Sequence, residues 1–164
     1  MLELPIQPKD ALTGIVNPAL ELLPQAMRSD EARVMLIAIA LQESGLATRA
    51  QYDGGPALGL WQNEQGGMVR GVLKGRATRR YALQLCEVRS VEPIESAVWD
   101  ALEDDDILAC GIARLGLWAD PHPLPDVKDI DGGWNCYHRN WRPGKPRPLA
   151  WLANFAKAYM AVIG

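Results

Sequence analysis

Glu43 stands where a carboxyl group can be tuned to carry a proton. It directly follows an apolar run, Val34 to Leu41, and precedes Ser44-Gly45. If that run is a helix stopped by Gly45, Glu43 falls in its last turn. Apolar surroundings disfavour a carboxylate there, and the negative end of the helix dipole disfavours it further. A carboxyl group that stays protonated near neutral pH is what a general acid for glycoside cleavage requires. The stretch Gly54-Gly55-Pro56-Ala57-Leu58-Gly59-Leu60-Trp61-Gln62 follows soon after. Its glycines let backbone approach a sugar closely, Trp61 offers a flat stacking face, and Gln62 carries both donor and acceptor for N-acetyl groups. Asp53 and Glu64 lie beside this stretch as candidates for a second carboxylate.

An apolar helix ending in Glu43-Ser44-Gly45, followed by the turn Gly59-Leu60-Trp61-Gln62, resembles the soluble lytic transglycosylase and goose-type lysozyme family. The extended form, Gly55 to Glu64 and then Gly66-Gly67, is similar to phage-encoded members in particular. That family carries a third element, a C-terminal Tyr/Asn segment lining the cleft. Here Trp134-Asn135-Cys136-Tyr137-His138-Arg139-Asn140-Trp141-Arg142-Pro143-Gly144-Lys145-Pro146 occupies its place. The segment departs from the usual Ala-Tyr-Asn-x-Gly pattern. Tyr137 is the preferred counterpart of the family's Tyr-Asn, with the Trp134-Asn135 pair as the other candidate.

The resemblance implies a mainly α, lysozyme-like fold of the α+β lysozyme superfamily. A central helix is buried, and a small loop or hairpin lobe lies over the cleft. It also implies cleavage of the β-1,4 bond between N-acetylmuramic acid and N-acetylglucosamine by one glutamate acting twice. Glu43 would protonate the glycosidic oxygen, then take the proton of the muramic C6 hydroxyl as a 1,6-anhydro ring closes. Ser44, Gly59, Trp61, Gln62, Trp134, Asn135 and Tyr137 would meet the substrate, with no metal ion or organic cofactor. The close alternative is a hydrolytic lysozyme in which Asp53 or Glu64 activates water. The alternative from another class is a virion structural or wall-binding protein that keeps this shape without catalysis. A phage origin implies a route to the wall, either within the virion beside other tail proteins or as an endolysin released at lysis.

Bulk properties agree with such a chain. Its 164 residues suit one domain over residues 1–164, with residues 1–28 as an N-terminal extension or a helix packing on the core. A net charge of −3 gives a nucleic-acid partner no support. The basic run from Arg70 to Arg80 and the acidic run from Glu92 to Asp106 read as solvated helix surfaces that could also face each other. Cys86, Cys110 and Cys136 form no C-x-x-C pair, and His122 and His138 have no metal-ligand spacing. Neither a zinc site nor a disulfide framework is expected, which fits folding in a reducing compartment. The N-terminus has no basic region followed by an apolar one, and Val34–Leu41 is too short for a bilayer, which needs ~20 residues. Synthesis in the bacterial cytoplasm without a signal peptide, no membrane insertion, and action in the periplasm or cell wall are the expectations.

The elements that must position Glu43 follow from periodicity. Leu12, Ile15, Val16, Ala19, Leu22 and Leu23 predict a helix over 10–23, interrupted or restarted at Pro18. Ser29 reads as an N-cap for the apolar helix, with Asp30 and Glu31 in its first turn. Residues 52–67, from Tyr52-Asp53-Gly54 to Gln65-Gly66-Gly67, read as a loop holding a small hairpin at the end of that helix. Further helices are predicted at about 76–89, 93–103, 106–118, 128–139 and 149–162.

Overall fold

The computed structural model describes residues 1–51 and 53–164, so the part of the expected turn that falls on Tyr52 lies outside the described residues. A helical run over residues 8–21 (α1) comes first, composed of Pro8–Ala11, a wider π turn over Leu12–Val16, and Asn17–Glu21. Pro18 has no N–H and crowds the preceding turn, and the widened turn just ahead of it accommodates both effects. Ile6, Leu12, Ile15, Val16, Leu20, Leu23 and Met27 are all buried. The apolar face of this segment is therefore covered by the protein's own core.

The side chain of Ser29 accepts the Ala32 amide at 3.2 Å and so starts α2, Asp30–Ser44. Every residue from Val34 to Ala40 is buried. A helix without a polar face belongs at the centre. Its most extensive partner is the C-terminal helix, Pro148–Val162. Gly45 ends α2 in the left-handed conformation at φ 65°, and its N–H donates to the Leu41 carbonyl at 3.1 Å.

Two short strands follow, β1 (Ala57–Leu58) and β2 (Asn63–Glu64), antiparallel with Ala57 opposite Glu64 and Leu58 opposite Asn63. This hairpin is tied to the end of α2, because the Ser44 hydroxyl donates to the Leu60 carbonyl at 2.7 Å. The next element corrects the sequence reading. Gln65-Gly66-Gly67 does not close a loop but opens a helical run over residues 65–74 (α3), made of Gln65–Val69 and Arg70–Lys74. Burial of Val69, Val72 and Leu73 outweighs the weak helix propensity of the two glycines.

The remaining helices are α4 (Arg79–Val88), α5 (Glu95–Ala101), α6 (Asp106–Ala119), α7 (Ile130–Trp141) and α8 (Pro148–Val162). The chain is thus mainly helical with one small two-stranded sheet among the described residues. The charge runs meet only in part: Glu95 pairs with Arg70 at 3.0 Å and Lys74 at 2.9 Å, both exposed and so worth little. Arg89 reaches Asp105 at 2.8 Å, while Asp105 also caps α6 through the Leu108 amide. Cys86, Cys110 and Cys136 are free and buried, and burial pushes the Cys136 thiol up to about 11. No helix among the described residues is long and apolar enough to cross a membrane.

Candidate active site

The last turn of α2 presents Glu43 to a cleft of about 690 Å³ between the hairpin, α3, the C-terminal half of α7 and the segment leading into α8. Glu43 is half-buried, with buried Gln42 and Ser44 on either side. Burial raises its pKa above the usual carboxylate value; the Tyr137 hydroxyl and the positive charge of Arg147 pull the other way without cancelling that rise. Tyr137 donates to Glu43 Oε1 at 2.6 Å. The phenol is itself held by packing, with its ring stacked on Trp151 at 5.2 Å between centroids. Arg147 is anchored to α2 in turn: it donates to the Gln42 carbonyl, and its own carbonyl accepts from Gln42 Nε2 at 3.0 Å. Glu43 therefore faces solvent with one oxygen oriented by a fixed donor and its proton affinity raised by the core behind it. That is the arrangement of a general acid.

Gln62 and Glu64 also line the cleft. Gln62 occupies the left-handed region at φ 49°, and its Nε2 donates to the Gly59 carbonyl at 2.9 Å. Asp53 is exposed, is not among the cleft-lining residues, and accepts the Gly55 amide at 3.2 Å in a tight turn. Of the two candidates for a second carboxylate, only Glu64 is on the cleft wall.

Five of the expected substrate contacts are placed elsewhere. Trp61 is fully buried and donates through Nε1 to the Leu36 carbonyl at 2.8 Å, so its faces meet core side chains rather than a sugar. Ser44 turns inward and bonds the Ala40 and Leu60 carbonyls. Gly59 serves the fold: at φ 76° it needs the left-handed region, and a Cβ there would come within 2.9 Å of the Leu102 carbonyl. Asn135 is exposed on the far side of α7. Trp134 packs against Tyr137, His138 and Trp151 and supports the phenol instead of lining the cleft. Of Tyr137 and the Trp134-Asn135 pair, it is Tyr137 that reaches Glu43.

Several cleft residues had no role assigned from the sequence. Asn63 is 1% exposed, lines the cleft, and neither Nδ2 nor Oδ1 has a hydrogen-bond partner among the described residues. A buried amide with both ends open is costly unless a ligand or water completes it. Trp141 lines the cleft while its Nε1 donates to the Trp61 carbonyl at 2.9 Å, joining α7 to the hairpin. Arg142, Lys145 and Arg147 give this wall positive charge on a chain whose net charge is −3.

Behind α7, Asp120 accepts from Arg139, Asn140 and His122 at 2.7–3.0 Å. Burial works to raise its pKa, but these donors outweigh it and hold the carboxyl well below its usual range. This knot pins α7 to the end of α6 and so helps set the position of Tyr137.

Tyr137→Phe tests the acid–donor pair. Removing the donor takes away an interaction that lowers the Glu43 pKa, so the pKa rises and the protonated acid persists to higher pH. In an activity that uses Glu43 as its acid, the alkaline limb of the pH profile is expected to move upward while turnover falls on the order of tenfold. An unmoved limb would show that the two groups are not coupled. No family model matches the chain, nor does any curated protein or solved structure.

Proposed function

We propose that the protein is a muramidase that cleaves the glycan strands of peptidoglycan, with Glu43 as its single acid and base. The observation that carries this reading is a half-buried carboxyl of raised pKa, held by Tyr137 at an open cleft of about 690 Å³. The lysozyme-like architecture and the transglycosylase resemblance of Glu43-Ser44-Gly45 and Gly59-Leu60-Trp61-Gln62 belong to the same proposal. The cationic wall suits a strand that bears peptide carboxylates. A phage-type enzyme, carried in the virion or released at lysis, is the biological setting this reading favours.

In the reaction, Glu43 gives its proton to the glycosidic oxygen as the bond from the muramic C1 to that oxygen breaks. The N-acetylglucosamine leaves as an alcohol, and positive charge develops at C1. The Glu43 carboxylate then removes the proton of the C6 hydroxyl, whose oxygen closes on C1. Glu43 ends protonated, as it began, and no second carboxylate is consumed. Glu64 on the cleft wall favours a second reading, in which water rather than the C6 hydroxyl is activated.

Asn63 adds a specific expectation. A small rotation of its side chain toward the cleft would bring its unpaired donor and acceptor to the carbonyl and N–H of an acetamido group. Asn63→Ala is expected to raise KM for N-acetylated wall by about tenfold with a smaller change in kcat. De-N-acetylated wall should distinguish wild type and variant far less. Equal losses on both substrates would remove Asn63 from sugar recognition. The proposal as a whole is tested by incubating the purified protein with washed cell walls. Release of soluble muropeptides supports it, and intact glycan strands after prolonged incubation refute it.

A further inference from the structure

α6 has two working faces. Gly116 and Ala119 line the glycan cleft, while Arg114, Leu117 and Trp118 line a separate hollow of about 700 Å³. That hollow lies between the start of α2, at Ser29 and Glu31, and the chain leaving α6 at Pro121 and Leu124. Arg114 is only 2% exposed. Its Nε donates to the Met27 carbonyl at 2.9 Å, but Nη1 has no hydrogen-bond partner among the described residues. Burial pulls the guanidinium down to about 10, which leaves it charged near neutral pH. A buried cation without a counter-charge is among the most costly features a core can hold.

The carboxylates at the rim do not supply that counter-charge. Asp120 is committed to Arg139, Asn140 and His122, and Asp126 accepts the Lys128 amide at 2.9 Å. Glu31 sits in the first turn of α2 and forms no ion pair with Arg114. Those same rim carboxylates disfavour a multiply charged anion such as phosphate. The positive end of the fifteen-residue α2 opens on the hollow and offsets part of the rim's negative charge. Apolar side chains share the surface with these polar ones: Trp118 is 37% exposed, and its ring centroid lies 5.5 Å from the guanidinium carbon.

We propose that this hollow binds a single carboxylate carried on a short apolar body, as at the C-terminus of a peptide. The Arg114 guanidinium donates to the carboxylate, and Trp118, Pro121 and Leu124 cover the apolar part. The site is independent of the glycan-cleaving reading, since it shares a helix with the cleft but not a surface.

Titration calorimetry of the whole protein with N-acetyl-alanyl-alanine, against its C-terminal amide, tests the proposal without any mutation. The free acid is expected to bind saturably, one per chain, and the amide at least about tenfold more weakly for want of the charge-assisted bond. Running the D,D and L,L peptides side by side distinguishes a cell-wall peptide from an ordinary protein terminus, and acetate serves as the control for a bare organic acid. Arg114→Gln should abolish binding of the acid. Trp118→Ala, a partly exposed change that leaves the core alone, should weaken it in a protein that still melts normally. Equal binding of acid and amide would overturn the proposal, as would no binding of either. A higher melting temperature for Arg114→Met than for wild type in saturating peptide would do the same, because it would mark Arg114 as a strained core residue only.

Discussion

Glu43→Gln is expected to reduce wall cleavage by at least ~10²-fold while leaving the protein folded. Gln keeps the shape of the side chain, and its carbonyl oxygen can still accept the Tyr137 hydroxyl that reaches Glu43 Oε1 at 2.6 Å. What it loses is the proton. The same substitution has a thermodynamic signature. Burial raises the folded-state pKa of Glu43, so folding takes up a proton that the unfolded chain has released in the pH window above the usual carboxylate value. Stability that is complete below the unfolded pKa is lost as pH rises through the folded one. Gln does not titrate and escapes that loss. The variant should therefore melt at a higher temperature than wild type near neutral pH, with the difference shrinking toward pH 4. Turbidity clearing and melting curves across pH read both effects. An inactive variant with no such pH-dependent gain would place Glu43 in a wetter environment than the structure shows.

Trp61→Ala is expected to destabilise the fold by about 3–5 kcal/mol, the usual range for emptying a large aromatic site in a core. Trp61 is fully buried, and its Nε1 donates to the Leu36 carbonyl on α2. Trp61→Phe should cost less, since much of the ring volume remains and only the N–H bond is lost outright, on the order of 1 kcal/mol. Neither change removes a sugar-stacking face, so the Phe variant should retain wild-type affinity for wall in co-sedimentation. Urea midpoints measure the stability effect. A Trp61→Ala protein as stable as wild type but weakened in wall binding would return this ring to the cleft.

The contrast between these two residues shows which features were legible in the sequence. Glu43 was readable because its position depends on local rules: the Ser29 cap, an apolar helix with no polar face, and Gly45 in the left-handed stop. The helices after residue 75 were readable for the same reason, and their ends fall within a few residues of the expected limits. Trp61 was not readable. It lies in the turn between two-residue strands, where nothing periodic says which way a side chain points, and α2 behind it decides. The glycines of α3 misled by propensity, while Val69, Val72 and Leu73 were the stronger signal. Helical spacing bears on the choice between Tyr137 and the Trp134-Asn135 pair. Gly133, Cys136, Tyr137, Asn140 and Trp141 recur at three- and four-residue steps on one face of α7, and Asn135 falls off it. Asn63 and Arg114 carry no sequence signal at all. Their open hydrogen-bonding groups exist only because distant elements bury them.

The central claim is that one carboxyl group, Glu43, cleaves the glycan by using the C6 hydroxyl as its internal nucleophile. An oriented intramolecular hydroxyl has an advantage over water on the order of 7 kcal/mol or more in well-aligned cases. Glu64, the cleft-wall carboxylate that could activate water, is exposed to solvent. Mass spectrometry of muropeptides released from purified wall, before and after borohydride reduction, reads the outcome directly. The account predicts 1,6-anhydromuramic ends that borohydride leaves unchanged; muramic ends that are all reducible would contradict it.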